Sequence, residues 1–160
     1  MDKIRIFVWR RHTTVLLTIG LALVLVGLVV SFMVTNFKPT TQVKLGSGVF
    51  SLTVADTEAS RIQGLSGTPS LSPNGGMLFD FEADGTHGIW MKDMKYPIDI
   101  VWLDNGKKVV YIVMNAQPES PASTVYTPKD NARYVIELPA GTVKKSGIKT
   151  GNVAEFNLDV

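Results

Sequence analysis

The clearest structural signal in this chain lies in residues 98–114, IDIVWLDNGKKVVYIVM. Two runs rich in β-branched and aromatic residues, Ile98–Leu103 and Lys107–Met114, flank the tripeptide Asp104-Asn105-Gly106. Asn-Gly favours the positive φ angles of a type I′ turn, whose twist matches that of two paired strands. The pattern therefore predicts a β-hairpin closed by a type I′ turn.

Short strands are also predicted on both sides of this hairpin, because brief apolar runs alternate with clusters of Gly, Pro and Ser. A short helix is predicted to begin at Asp56 or Thr57 and to run to Gln63, where Gly64 supplies a left-handed stop. This pattern is typical of a mainly β domain, α+β at most, and we expect a compact antiparallel barrel-like domain with one or two short helices. The other predicted strands are residues 42–45, 49–55, 77–81, 134–138 and 153–158, and the predicted loops are residues 66–76 and 115–132.

A membrane segment is predicted near the N-terminus, because no charged residue occurs between Arg11 and Lys38 and 16 of the 20 residues from 15 to 34 are apolar. A 20-residue helix is about 30 Å long, the thickness of the hydrocarbon core of a bilayer. Four basic residues precede this segment, so the positive-inside rule places the N-terminus in the cytoplasm. We expect a cytoplasmic stub (1–12), an uncleaved transmembrane signal anchor (13–36), a linker (37–42) and an extracytoplasmic β-rich domain (43–160).

The charge distribution argues against a nucleic-acid partner. The 160-residue chain has a formal charge of +2, but residues 1–12 carry four basic and one acidic residue, which leaves 12 basic and 13 acidic residues in the remainder. The net charge of the domain is therefore −1, which does not indicate a basic face that could bind nucleic acid. The chain has no cysteine and two histidines, His12 and His87, so neither a thiol nucleophile nor a metal site is expected. We expect no cofactor, and the lipid bilayer is the partner expected for residues 13–36.

Four residues are candidates for a ligand-binding site. Arg61 on the predicted helix could bind an anion, or could form an ion pair within the domain. Asp99 and Glu137 lie inside apolar strands, where a carboxylate needs partners because unpaired burial costs several kcal/mol. For Glu137, the candidate partners are Arg61 and Arg133, and either carboxylate could be structural or functional. Trp90 could stack on a flat or sugar-like ligand, or could belong to the core.

Several short motifs occur together in an order that resembles the domain of unknown function 192 family, a group of small prokaryotic proteins that are often anchored or exported. The resemblance covers about residues 43–160 and implies a compact β-rich domain with a short helix, but it implies no activity. The motifs are Arg61-x-x-Gly64-Leu65, Gly76-Met77-Leu78-Phe79, Trp90-Met91-Lys92, Pro97-Ile98-Asp99, Tyr134-Val135-Ile136-Glu137-Leu138-Pro139-Ala140-Gly141 and the segment from Gly147 to Gly151.

Two positions depart from the family pattern. Asp93-Met94 stands where the family often has Asn-Thr, and Ser66 stands where it often has Met after Gly-Leu. If the Asn-Thr pair contacts a ligand in other members, this chain lacks that contact.

Three functions remain open. The leading hypothesis is a non-catalytic module that binds a small polar or sugar-like ligand or an envelope partner, because the sequence shows no nucleophile or metal constellation. The alternative is a hydrolase or lyase in which Asp99 and Glu137 form an acid–base pair. A structural envelope protein is the third.

Overall fold

The structure is a computed structural model that describes residues 15–31, 39–118 and 124–158. The chain divides into two compact units, Met1–Lys38 and Pro39–Val160. The described part of the first unit is helix α1, residues 15–31. Among the described residues, no helix combines the length and the hydropathy that crossing a bilayer requires. Residues 13–14 and 32–36 of the predicted membrane segment lie outside the described part.

The second unit is mainly β with short helices, as the sequence predicts. Helix α2 is Glu58–Gln63 and helix α3 is Thr142–Lys145. The strands of its described residues are β1 (Thr40–Leu45), β2 (Gly48–Ala55), β3 (Gly75–Gly85), β4 (Ile89–Trp90), β5 (Ile98–Leu103), β6 (Val109–Ala116), β7 (Val125–Tyr126) and β8 (Ala132–Pro139).

Six of these strands form one open sheet, in the order β1-β2-β3-β8-β5-β6, while β4 and β7 form a separate ribbon. The expected antiparallel barrel is therefore wrong in two respects. Strands β2 and β3 pair in parallel, because α2 and the loop after it carry the chain back across the sheet. Strands β1 and β6 lie at opposite edges and do not pair with each other among the described residues, so the sheet does not close.

The predicted C-terminal strand, residues 153–158, is also wrong. This segment makes two isolated bridges instead, Lys108 with Val153 and Lys44 with Glu155. It crosses from the turn of the β5–β6 hairpin to the edge strand β1, which prevents a continuous ladder with either.

The β5–β6 hairpin is confirmed, but its turn differs from the predicted type I′. Lys107 N donates to Asp104 O, and Lys107 itself has a φ of 62°. Neither Asn105 nor Gly106 has a positive φ. The left-handed residue thus follows the turn, an arrangement typical of a longer hairpin loop with a bulge.

The two faces of the sheet carry two separate apolar cores. On one face, Val101, Leu103 and Ile136 pack with Val143 of α3 and Phe156 of the C-terminal segment; we call it the C-terminal face. On the other, the core contains Met77, Phe79, Ile98, Ile100, Trp102, Val135 and Leu65; we call it the pocket face. All six residues of β5 are buried, because this strand is covered on both faces.

Candidate functional site

A pocket of about 290 Å³ opens on the pocket face beside helix α2, and we call it the α2 pocket. This volume lies at the lower end of the range for small-molecule sites. Its polar residues are Glu58, Arg61, Gln63, Ser66 and Glu137. Its large apolar residues are Ile62, Leu65, Phe79, Phe81, Ile89, Trp90 and Met94.

Local sequence signals place helix α2 along one side of this pocket. Thr57 caps the helix, and its hydroxyl accepts the backbone N–H of Ser60 while the Ser60 hydroxyl accepts that of Thr57. Gly64 ends the helix with a φ of 48°, a conformation that glycine adopts without a steric cost. The predicted bounds of the helix are confirmed to within two residues.

Glu137 of β8 lines the pocket from the sheet side. The residue is 4 % exposed, and its Oε2 atom has no hydrogen-bond partner among the described residues. Burial raises the pKa of this carboxyl to about 8, because an apolar environment disfavours the charged form. Strand β3 can approach here because residue 76 is glycine: a Cβ at Gly76 would collide with the backbone oxygen of Glu137.

Tyr96 is the second buried polar group without a partner. Its hydroxyl makes no hydrogen bond of good geometry to any described residue. Burial raises the pKa of this phenol, a hydrogen bond of poor geometry with the Thr68 side chain lowers it, and the Glu137 carboxylate raises it again, with a net increase. Tyr96 packs against the core of the pocket face, but it is not among the residues that line the α2 pocket.

Trp90 lies at the rim of the pocket and is 42 % exposed. The Lys92 ammonium lies 5.6 Å from the centre of the Trp90 ring. On the far wall, Phe79 and Phe81 stack with ring centres 6.1 Å apart. Trp90 is therefore available to a ligand, whereas Trp102 is fully buried and donates its indole N–H to His87 O.

The sequence suggested that Arg61 could pair with Asp99 or Glu137, but Arg61 pairs with neither of them. Its Nη1 atom donates to the backbone oxygens of Asp56 (2.6 Å) and Asp80 (2.7 Å). The same atom lies 3.3 Å from the exposed Glu82 Oε1. The guanidinium thus ties α2 to β3, and its edge lines the pocket.

A partly buried ion pair joins Asp80 and Arg133, and the sequence did not predict it. Asp80 of β3 receives hydrogen bonds from Arg133 Nε (3.0 Å), Arg133 Nη2 (3.1 Å) and the backbone N–H of Glu82 (2.8 Å). Burial raises the pKa of Asp80, but these bonds and the charges of Arg133 and Arg61 outweigh it and hold the pKa below its usual value. Arg133 is therefore not a partner of Glu137. An acidic residue within the apolar run Met77–Phe81 was the signal that could have revealed this pair.

Asp99 lies on the opposite side of the sheet from Glu137. It shares the C-terminal face with Val101, is fully buried, and accepts the backbone N–H groups of Asn115 (2.9 Å) and Val143 (2.8 Å). Glu137 shares the pocket face with Val135. An acid–base pair of Asp99 and Glu137 is thus wrong, because both groups of such a pair must reach one substrate.

Motif residues from four separate segments meet at the α2 pocket, namely Arg61, Leu65, Phe79, Trp90 and Glu137. The profile of the DUF192 family (Uncharacterized ACR) matches residues 41–156. The chain belongs to the DUF192 family. Within the described residues, no three His, Asp or Glu side chains come together as a metal site would require.

The relatives of this chain are themselves uncharacterised. A UPF0127 protein of Thermococcus gammatolerans is 29% identical over 105 residues, which are 66% of this chain and 65% of the relative. A second, from Thermococcus sibiricus, is 28% identical over 66% of each chain. The present chain thus spans slightly less than two thirds of the relatives' length.

Two solved structures share the fold. A Sinorhizobium meliloti 1021 protein, provisionally described as a transcription regulator, superposes with a TM-score of 0.71 and 29% identity over 74% of this chain and 95% of that one. A Novosphingobium aromaticivorans DSM 12444 protein of unknown function superposes with a TM-score of 0.65 and 26% identity over 74% and 84% of the two chains.

Proposed function

We propose that residues 39–158 form a non-catalytic module that binds a small molecule in the α2 pocket. The observation that carries this proposal is the buried carboxyl of Glu137, which lines a cavity and whose Oε2 atom has no hydrogen-bond partner among the described residues. An unsatisfied buried polar group costs about 1–3 kcal/mol. A ligand that supplies the missing bond recovers this cost, which makes the pocket a favourable binding site.

The walls of the pocket favour a ligand with an apolar body over the sugar-like ligand expected from the sequence. Phe79, Phe81, Ile89 and Met94 offer no hydrogen bonds to a ring of hydroxyl groups. Both departures from the family pattern, Ser66 and Met94, lie in this wall. Where the resemblance implies a Thr, Met94 adds an apolar side chain to the wall, whereas Ser66 places a hydroxyl where the resemblance implies a Met.

The provisional description of the Sinorhizobium protein gives no reason to propose a nucleic-acid partner for this domain. Twelve basic and 13 acidic residues follow residue 12, which leaves the domain without the positive charge that phosphate contacts require. A module that binds a small molecule needs no such surface.

Loss of the Trp90 side chain is expected to abolish ligand binding with little effect on folding. A fragment screen on the full chain in detergent micelles should yield compounds that raise the melting temperature, because a ligand stabilises the state that it binds. In Trp90→Ala, which removes an exposed part of the pocket wall, these shifts should disappear. Val153→Ala, a change at an exposed apolar residue outside the lining, is the matched control and should retain them. Fragments that stabilise Trp90→Ala as strongly as the parent would place binding elsewhere.

We also propose that the N-terminal segment anchors this module on the outer side of the cytoplasmic membrane. The support is the uncharged run from residue 12 to residue 37 and the four basic residues before it. Such an anchor would hold the pocket where extracytoplasmic solutes reach it.

The orientation can be measured with reporters. Alkaline phosphatase, which is active only outside the cytoplasm, should be active when it is joined after Val160 and inactive when it is joined after Arg11. Green fluorescent protein at the same two positions should give the reverse pattern. A fusion after Val160 that is active only in the cytoplasm would contradict the proposed orientation.

A further inference from the structure

We propose that the α2 pocket binds a primary ammonium group on a small apolar or aromatic body, and that Glu137 receives the ammonium. This inference rests on the proposed function of the pocket as a ligand site. It assigns the chemical class of the ligand from the Oε2 atom of Glu137, which the fold buries there without a hydrogen-bond partner among the described residues.

Hydrogen-bond complementarity favours an ammonium group. The Oε2 atom of Glu137 accepts hydrogen bonds but receives none from the described residues. An ammonium group carries three donors and no acceptor. It can therefore supply the missing hydrogen bond together with an opposite charge, whereas a carboxylate or phosphate ligand would bring a like charge to Glu137.

The walls of the pocket suit the body of such a cation. The faces of aromatic rings attract cations. Two rings of this pocket already have a cationic side chain of the protein near them. The Arg61 guanidinium lies 5.7 Å from the centre of Phe81, and the Lys92 ammonium lies 5.6 Å from that of Trp90. Phe79 makes no such contact among the described residues and lies in the same wall.

The other charges around the pocket do not oppose a cation. Arg61 is compensated by two backbone oxygens and Glu82, and Glu58 on the same helix brings a negative charge to the lining. Strands β3 and β5 present apolar residues to this core, and His87 stacks on Phe81 with ring centres 3.9 Å apart. The remaining titratable groups are Tyr96 and the Lys92 side chain at Trp90.

Affinity for the ammonium ion should rise with pH, because the cation pairs with the ionised form of Glu137. With a carboxyl pKa of about 8, the ionised fraction increases roughly twentyfold between pH 6.5 and pH 8.5. A primary alkylamine stays protonated over this range, since its pKa is about 10. The dissociation constant should fall by the same factor.

Calorimetry with three matched probes tests the proposal on the full chain in detergent micelles at pH 8.5. The probes are 2-phenylethylamine, the neutral 2-phenylethanol and the anionic 3-phenylpropionate. We expect the amine to bind at least about tenfold more tightly than the alcohol, and the acid to bind most weakly. In Glu137→Gln, amine and alcohol should bind with affinities within about twofold of each other.

Two further variants separate the ammonium site from a general effect on the pocket. Tyr96→Phe removes only a hydroxyl of a residue outside the pocket lining and should change amine binding by less than about twofold. Glu58→Gln removes the exposed carboxylate of the lining and should change amine binding by less than about twofold. Circular dichroism of each variant checks that the fold is retained.

The proposal is overturned if the parent binds the alcohol as tightly as the amine, if it does not bind the amine, or if Glu137→Gln keeps the preference for the amine. In the first case, loss of alcohol binding in Trp90→Ala would show that the pocket is still a ligand site. Failure of the ammonium assignment is thereby distinguished from failure of the proposed function.

Discussion

Replacing Asp99 with alanine is expected to destabilise the domain by about 4 kcal/mol, because one buried and one partly buried backbone N–H group lose their acceptor. Both Asp99 oxygens are used: Oδ1 accepts from Asn115 and Oδ2 accepts from Val143. Each unpaired N–H costs about 1–3 kcal/mol, and the volume that the side chain leaves adds a cavity penalty.

The position of these two amides explains why the carboxylate is required. The β5–β6 register shifts by one residue between Ile98 and Ile100, which leaves an extra residue on β6 where Asn115 has a φ of 56°. A bulge of this kind frees an N–H from the ladder. Val143 lies in the first turn of α3, where N–H groups also have no intrahelical partner. One side chain thus satisfies a bulge and a helix terminus.

Urea unfolding and hydrogen exchange measure this effect. The unfolding midpoint of Asp99→Ala should fall strongly, and the amides of Asn115 and Val143 should lose their protection first. Asp99→Asn keeps one acceptor oxygen and should lie between the alanine variant and the parent. Asp130→Ala changes an exposed aspartate and should leave the midpoint unchanged. A parent-like midpoint for Asp99→Ala would show that this carboxylate is not structural.

Local patterns in the sequence were sufficient for the elements and for the faces of single strands. The alternation of β5 groups Ile98, Ile100 and Trp102 on one face because successive side chains point to opposite sides of a strand. The capping residue Thr57 and the stop at Gly64 fix α2 in the same local way. These predictions need no knowledge of which strands are neighbours.

The charge pairs could not be predicted, because they depend on long-range strand order. Strand β8 lies between β3 and β5, and the register pairs Asp80 with Tyr134. That register brings Arg133 to Asp80 rather than to Glu137. The same limit affected the candidate site, since period-two alternation cannot tell whether Asp99 and Glu137 face the same side of the sheet. Arg61, Trp90 and Glu137 do line one pocket, and Asp99 does not.

The stability of the domain is expected to fall as pH rises through the neutral range, owing to Glu137. Its folded pKa is about 8, against an ordinary value of 4.5. Below about pH 4.5 the carboxyl is protonated in both the folded and the unfolded state, so its ionisation does not change the free energy of unfolding. Above that pH the unfolded chain releases the proton and the folded chain keeps it, so stability is lost until about pH 8. Over pH 5 to 8 the loss is about 3 kcal/mol.

A comparison with Glu137→Gln isolates this contribution from those of the other titratable groups. The difference in unfolding free energy between the parent and Glu137→Gln should change by about 3 kcal/mol from pH 5 to pH 8, in favour of the glutamine variant at the higher pH. The same comparison with Glu58→Gln, at an exposed position of the pocket lining, should show no such change. A constant difference for Glu137→Gln would mean that the carboxyl is solvated or paired in solution.

The same measurement links the stability of the fold to the proposed ligand. An ammonium ion bound at Glu137 stabilises the carboxylate in the folded state and therefore lowers its pKa there. Saturating 2-phenylethylamine should then remove most of the pH-dependent loss in the parent and leave Glu137→Gln unchanged. Because 2-phenylethanol carries no charge, it should raise the stability of the parent without lessening its loss as pH rises. A change in pH dependence that the amine causes and the alcohol does not would identify the buried carboxyl as the group that the ligand meets.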